Sequence, residues 1–121
     1  MPRYADCFVL PVPKKNLNAY RAMARLGSKV WMEHGALEYR ECVGEDLKSP
    51  CGVPFPKIAK ARSGETVVFS WILYKSRAHR DQVNKKVMAD KRIAAMMGKK
   101  MPFDMNRMAM GGFEALVEAA R

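Results

Sequence analysis

The sequence predicts an α+β fold whose elements run β-α-β-β-α-β, with a four-stranded antiparallel sheet. Three observations predict it. Residues 66–74 (TVVFSWILY) form the most strand-like run in the chain and are apolar on both faces, as a strand in the middle of a covered sheet must be. Residues 4–12 share that two-sided character. Two stretches with apolar residues at three- and four-residue steps read as the helices.

Residues 4–12 (YADCFVLPV) are the first strand. Tyr4, Asp6, Phe8 and Leu10 lie on one face and Ala5, Cys7 and Val9 on the other. Asp6 is the exception in an apolar strand. It either sits near the strand end, where water reaches it, or pairs with a donor; the first is favoured. Pro11 and Pro13 end the strand, since neither donates to a ladder. Residues 14–34 read as a helix closed by Gly35. Leu17, Tyr20, Met23, Ala24, Gly27, Val30 and Trp31 make its apolar stripe. Gly27 costs about 1 kcal/mol of helix propensity against Ala and points to a close approach of helix to sheet. His34, in the last turn, suits the helix dipole when charged.

Residues 36–45 alternate cleanly, Leu37, Tyr39, Glu41 and Val43 against Glu38, Arg40 and Cys42. That pattern belongs to a half-exposed strand nearer an edge. Residues 46–63 hold three prolines and no period, so they are a long basic loop. Phe55, between two prolines, can anchor that loop or reach a partner subunit. Ser76 caps a second helix through Met88, with His79, Val83 and Val87 inward. Arg80 and Asp81 are adjacent, do not face each other on a helix, and should each find another partner or water. Asp90 caps a short helix over 91–97, and MPFD (101–104) is a turn-forming connector. Residues 107–117 are the last strand, where Gly111-Gly112 suggest a bulge or bend.

This order is the ferredoxin-like split βαβ, whose first and third strands lie side by side in the centre. Two helices cover one face of such a sheet. The other face would carry three or four Phe, Trp, Leu or Tyr side chains, each burying about 150–250 Å² when packed. That exceeds the ~300–600 Å² patch of a typical monomer, so a second copy packed through a two-fold axis is expected to cover it.

The motifs GETVVFSWILYKSRAHRD, VNKKVMADKR, MPFD, RM and GGFE, with YADCFVLPVP and GALEYRECVGED, resemble the YbaA-like family of bacterial proteins. The resemblance runs nearly end to end and is weakest in SPCGVPFPKIAKA. It implies membership of the dimeric α/β-barrel superfamily, hence one ferredoxin-like domain over residues 1–121 that forms a dimeric α/β barrel. It implies no activity and brings no catalytic residues.

Composition bounds the function. With 121 residues a core forms without disulfides. Three widely spaced cysteines, Cys7, Cys42 and Cys51, match neither a disulfide framework nor a zinc site and suit free thiols in the cytoplasm. No signal peptide and no membrane-spanning run is evident in the sequence. There is no P-loop, GxGxxG, HExxH or nucleophile elbow, so the sequence calls for no cofactor and no metal. Ten methionines, five of them between Met96 and Met108, suit adaptable packing better than a thioether copper site.

Three functions remain, and the residues do not decide between an enzyme and a binding protein. The favoured one is a small-molecule pocket beside the sheet formed by Asp6, Tyr39, Trp71, Asp104 and Arg107. Asp6 beside aromatic rings could there accept a proton. The plainer alternative makes Trp71 core and pairs Asp104 with Arg107 to pin the last connector. The second function is RNA or DNA binding, from 22 Lys and Arg against 12 acids, a net charge of +10. Arg77, Arg80, Lys85, Lys86, Lys91, Arg92, Lys99 and Lys100 would meet phosphates. It is disfavoured because exposed stacking aromatics are lacking. The third is an accessory subunit whose basic helices face an acidic protein.

Overall fold

A computed structural model of the chain describes residues 2–121. Strand β1 spans Tyr4–Pro13 and helix α1 Leu17–Glu33, joined by a 3-10 turn at Lys14–Asn16. Strand β2 is Glu38–Val43, a short helix α2 is Phe55–Ile58, and strand β3 is Glu65–Tyr74. Helices α3 (Arg77–Met88) and α4 (Lys91–Met97) follow. A 3-10 turn at Met105–Arg107 then leads into β4, Ala109–Glu114. The sheet order is β2-β3-β1-β4 with every pairing antiparallel. The two strands that are apolar on both faces are therefore the central ones.

Residues 8 and 41 face each other across Ser70, and the register builds two rows over the helix side of the sheet. One row runs Glu41, Ser70, Phe8, Met110; the next runs Tyr39, Ile72, Asp6, Gly112. Above them the core divides. One part centres on Val30, Ile72, Tyr74, Val83, Val87 and Ile93, the other on Leu10, Val12, Tyr20, Ala24 and Val68. Phe8 packs against both.

Several local expectations are corrected. Pro11 lies inside β1, paired with Val67, while Pro13 does end the strand, opposite Glu65. Beyond Val9 no residue of β4 pairs with β1, so the prolines occupy a one-sided stretch that needs no second ladder. The loop before β3 contains the helical turn α2, with Pro56 in its first turn, where a missing N–H costs nothing. Gly111 and Gly112 are in regular register opposite Cys7 and Asp6, without a bulge. A Cβ on Gly112 would fall into the Tyr4 ring, so close approach is what requires glycine there. Gly35 does close α1 in a left-handed conformation, with φ of 115°. Asp90 and Ser76 cap their helices as expected, accepting from the backbone N–H of Arg92 and His79.

Asp6 is buried, 8% exposed, and paired with a donor instead of reaching water. Arg80 donates to it at 2.6 Å through one guanidinium nitrogen and to its neighbour Asp81 at 2.7 Å through Nε. Adjacent residues do meet here because the Arg side chain is long enough to fold back along its own helix.

Candidate functional site

Between the sheet and the helices lies a cavity of about 310 Å³. Its floor is the two side-chain rows, and its size follows from small residues at its centre. Ser70 on β3 and Ala24 and Gly27 on α1 leave space where larger side chains would close the core. Eight of the ten methionines line it: Met23 on α1 and seven between Met88 and Met110. Met88, Met97, Met105 and Met110 are exposed, which places the open side at the helix ends near β4. These unbranched thioethers give an adaptable apolar wall.

The opposite end, under β2, is polar. Glu41 accepts hydrogen bonds from the Tyr20 hydroxyl at 2.8 Å and from the Tyr39 hydroxyl at 2.7 Å, one on each carboxylate oxygen. Burial, followed by the Glu41 charge, pushes both phenols well above the ordinary tyrosine range, so they remain donors. Gly27 makes room for this arrangement. A Cβ there would sit 3.2 Å from the Tyr39 hydroxyl. The same Glu41, Tyr20 and Tyr39 also line a groove of about 400 Å³ between α1 and β2, with Arg21 and Arg25 on its rim. The triad is thus the partition between the groove and the inner cavity.

A second network holds the α3 side. Asn84 accepts from the Trp31 indole N–H at 3.1 Å and from the Tyr74 hydroxyl at 3.3 Å, while its amide faces Asp6 at 3.5 Å. The Arg80 guanidinium lies over the Tyr4 ring, 4.9 Å from its centroid. Among the described residues no buried side-chain nitrogen or oxygen lacks a partner, and no cluster of His, Cys, Asp and Glu could hold a metal ion.

Residues 3–105 match the protein family described as "Protein of unknown function (DUF1428)". The match takes in every polar group of the cavity, from Asp6 to Asn84. The chain belongs to this family. It is 41% identical over 116 residues to the uncharacterized protein YbaA of Escherichia coli, covering 96% of this chain and 98% of that one. Among solved structures it resembles a Nitrosomonas europaea protein named as an antibiotic biosynthesis monooxygenase. The TM-score is 0.61 at 9% identity, with 98% of this chain and 94% of that one covered. It also resembles a dimeric ferredoxin-like protein from an uncultured marine organism, with a TM-score of 0.57 at 10% identity and coverage of 98% and 100%. At such identities the likeness is one of fold, and that fold is the ferredoxin-like α+β architecture.

In this member of the family the five residues singled out from the sequence fall in three places. Asp6 and Tyr39 reach the cavity. Trp71 lies on the other face of the sheet, where its indole N–H donates to Glu38 at 2.9 Å. Asp104 caps the 3-10 turn through the Asn106 N–H, and Arg107 forks onto Glu65 at 2.7 and 2.8 Å and onto the Lys60 carbonyl. The side chains of Asp104 and Arg107 therefore pin the last connector through separate partners, and the two residues meet only through the Arg107 N–H to Asp104 carbonyl bond of the turn. Sequence reasoning missed Glu41, Ser70, Tyr20 and Asn84. Glu41 had a usable signal, an acid on the apolar side of an alternating strand, the same anomaly that drew notice to Asp6.

Proposed function

We propose that the protein is a cytoplasmic homodimer, one ferredoxin-like domain per chain, that binds a small organic molecule between its sheet and its helices. The observation that carries this reading is the cavity of about 310 Å³, mostly apolar, with polar groups in two clusters, one under β2 and one on the α3 side. Ligand sites commonly combine such a lining with a few placed polar groups in a space of about 300–1,000 Å³. The engagement of Asp6 by Arg80 and Asn84 favours a positioning role for that carboxylate, so the reading is one of binding. The fold likeness to the named monooxygenase is compatible with it and adds no chemistry.

The dimer is supported by the uncovered face of the sheet. Phe69, Trp71 and Leu73 lie on it beside Cys7 and Val9, with Phe113 60% exposed on β4. Phe55 of α2 packs edge-on against Phe69 and covers only part of it. The similar marine protein is described as dimeric. Nucleic-acid binding is weakened as an alternative, because Arg80 and Arg92 are engaged by Asp6, Asp81, Asp90 and Glu33. No helix among the described residues is long and apolar enough to cross a membrane.

A thermal-shift screen of phenols, quinones, organic acids and apolar aromatics tests the pocket. Stabilisation that rises with concentration is expected for some of them. A flat response across all classes would overturn the reading. Light scattering at micromolar concentration tests the assembly, for which twice the 13.7 kDa chain mass is expected.

A further inference from the structure

We infer that the occupant of this cavity is an elongated apolar molecule ending in a neutral or cationic hydrogen-bond donor, an amine or alcohol, whose head group is taken by Glu41 and Ser70. The inference rests on the binding reading above and names the class of ligand.

The geometry sets polar and apolar ends apart. Glu41 and Ser70 are directly opposite each other on neighbouring strands, on the face that lines the cavity. Directly opposed residues of an antiparallel pair hold their Cβ atoms about 4.5–5.5 Å apart, within reach of one small head group. Continuing across the same row, Phe8 and then Met110 follow toward the open side. Three strand spacings of about 4.8 Å make this row about 14 Å long, so the path is extended.

The unfilled capacity of Glu41 is that of an acceptor, while the Ser70 hydroxyl can accept or donate. A carboxylate offers about four lone-pair sites, and the hydrogen bonds of Glu41 to the protein are the two from Tyr20 and Tyr39. Capacity for a donor therefore remains. Ser70 is 5% exposed, lines the cavity and takes part in neither wall network. The other acid at the cavity, Asp6, already has its guanidinium. The arginines near Glu41, Arg21 and Arg25, line the outer groove beyond the tyrosines and are not cavity-lining residues. A carboxylate ligand would meet the Glu41 charge at short range in a site of low polarity, where like charges repel strongly. A neutral or cationic donor meets an unfilled acceptor.

Four probes of one shape separate the possibilities: 4-phenylbutylamine, 4-phenylbutanol, 4-phenylbutanoate and butylbenzene, each titrated by calorimetry. On the unmodified protein the amine and alcohol should bind at least tenfold tighter than the acid, with butylbenzene retained more weakly. In Glu41→Gln the advantage of amine over acid should shrink to within about threefold while butylbenzene binds as before. Equal or tighter binding of the acid overturns the inference, as does an unchanged amine-to-acid ratio in the variant. Binding of butylbenzene without any preference among head groups overturns this inference and leaves the pocket standing. If none of the four binds, this inference falls, and the thermal-shift screen decides the pocket reading separately. The series on the unmodified protein needs no variant to fold.

Discussion

Arg80 shows how differently two ion pairs of one side chain are weighted. Its bond to Asp6 joins two groups with 19% and 11% of their side chains exposed, whereas Asp81 is 61% exposed. Breaking a buried pair strands a charge and typically costs about 3–5 kcal/mol, while exposed pairs contribute about 0–1. Arg80→Met should therefore lower stability by about 3 kcal/mol and Asp81→Asn by less than about 1, both read from urea midpoints. Glu65 supplies a pH-dependent counterpart. The Arg107 fork, followed by the Arg62 backbone N–H, pulls its carboxyl down to about 2 from an ordinary 4.5. A carboxyl lowered on folding contributes stability that is complete above its unfolded value and is lost as pH falls toward its folded value. The window here runs from about pH 4.5 down to about 2. In Glu65→Gln the urea midpoint should fall less steeply over that window than in the parent. Asp90 is lowered too, chiefly by Arg92 and then His34, so part of the slope should persist. Asp6 was noticed from its sequence context, but its partner lies 74 positions away on α3 and no local pattern encodes such a contact.

At the scale of elements, two glycines, Gly27 against Tyr39 and Gly112 against Tyr4, serve packing where the backbone is ordinary. Gly112 on β4 lies beneath the Tyr4 ring, which in turn lies against Arg80. Gly112→Ala should destabilise by about 1–3 kcal/mol, as overpacking does, by driving Tyr4 off that position. In a Tyr4→Ala background the same change should be close to neutral, and a double-mutant cycle by chemical denaturation reads the difference. Ser76→Ala removes the acceptor for the His79 N–H and should cost α3 about 1 kcal/mol. The helices and central strands were legible in the sequence because amphipathic spacing and two-sided apolar runs are local properties. Strand ends were less so. Residues 107–117 were expected as a strand, yet β4 occupies only Ala109–Glu114. Asp104 and Arg107 instead serve the preceding 3-10 turn, and the Ala115 N–H alone still bonds back to Arg3.

For the whole molecule, the side of the sheet on which an aromatic residue falls decides its meaning. Trp71 is half-buried on the face away from the helices, next to Phe69 at 6.0 Å between ring centroids. Under the proposed assembly, Trp71→Asp should convert the dimer to monomer in light scattering, because a charge would be buried between the two sheets. Butylbenzene should still bind that variant, since the cavity lies on the opposite face. Loss of binding without loss of the dimer would count against both assignments.

By itself the sequence determined the order of elements, the central position of β1 and β3, and a family resemblance. Each is carried by spacing along the chain or by stretches of matching residues. Only the tertiary structure decided the site. Alternation placed Glu41 and Tyr39 on one face of β2, but only strand register set Ser70 opposite Glu41 and helix packing brought Tyr20 down onto it. The same packing separated Trp71 from Asp6 by the thickness of the sheet. A strand pattern assigns residues to faces; which face meets the helices, and where the packing leaves a cavity, depends on side chains many positions apart.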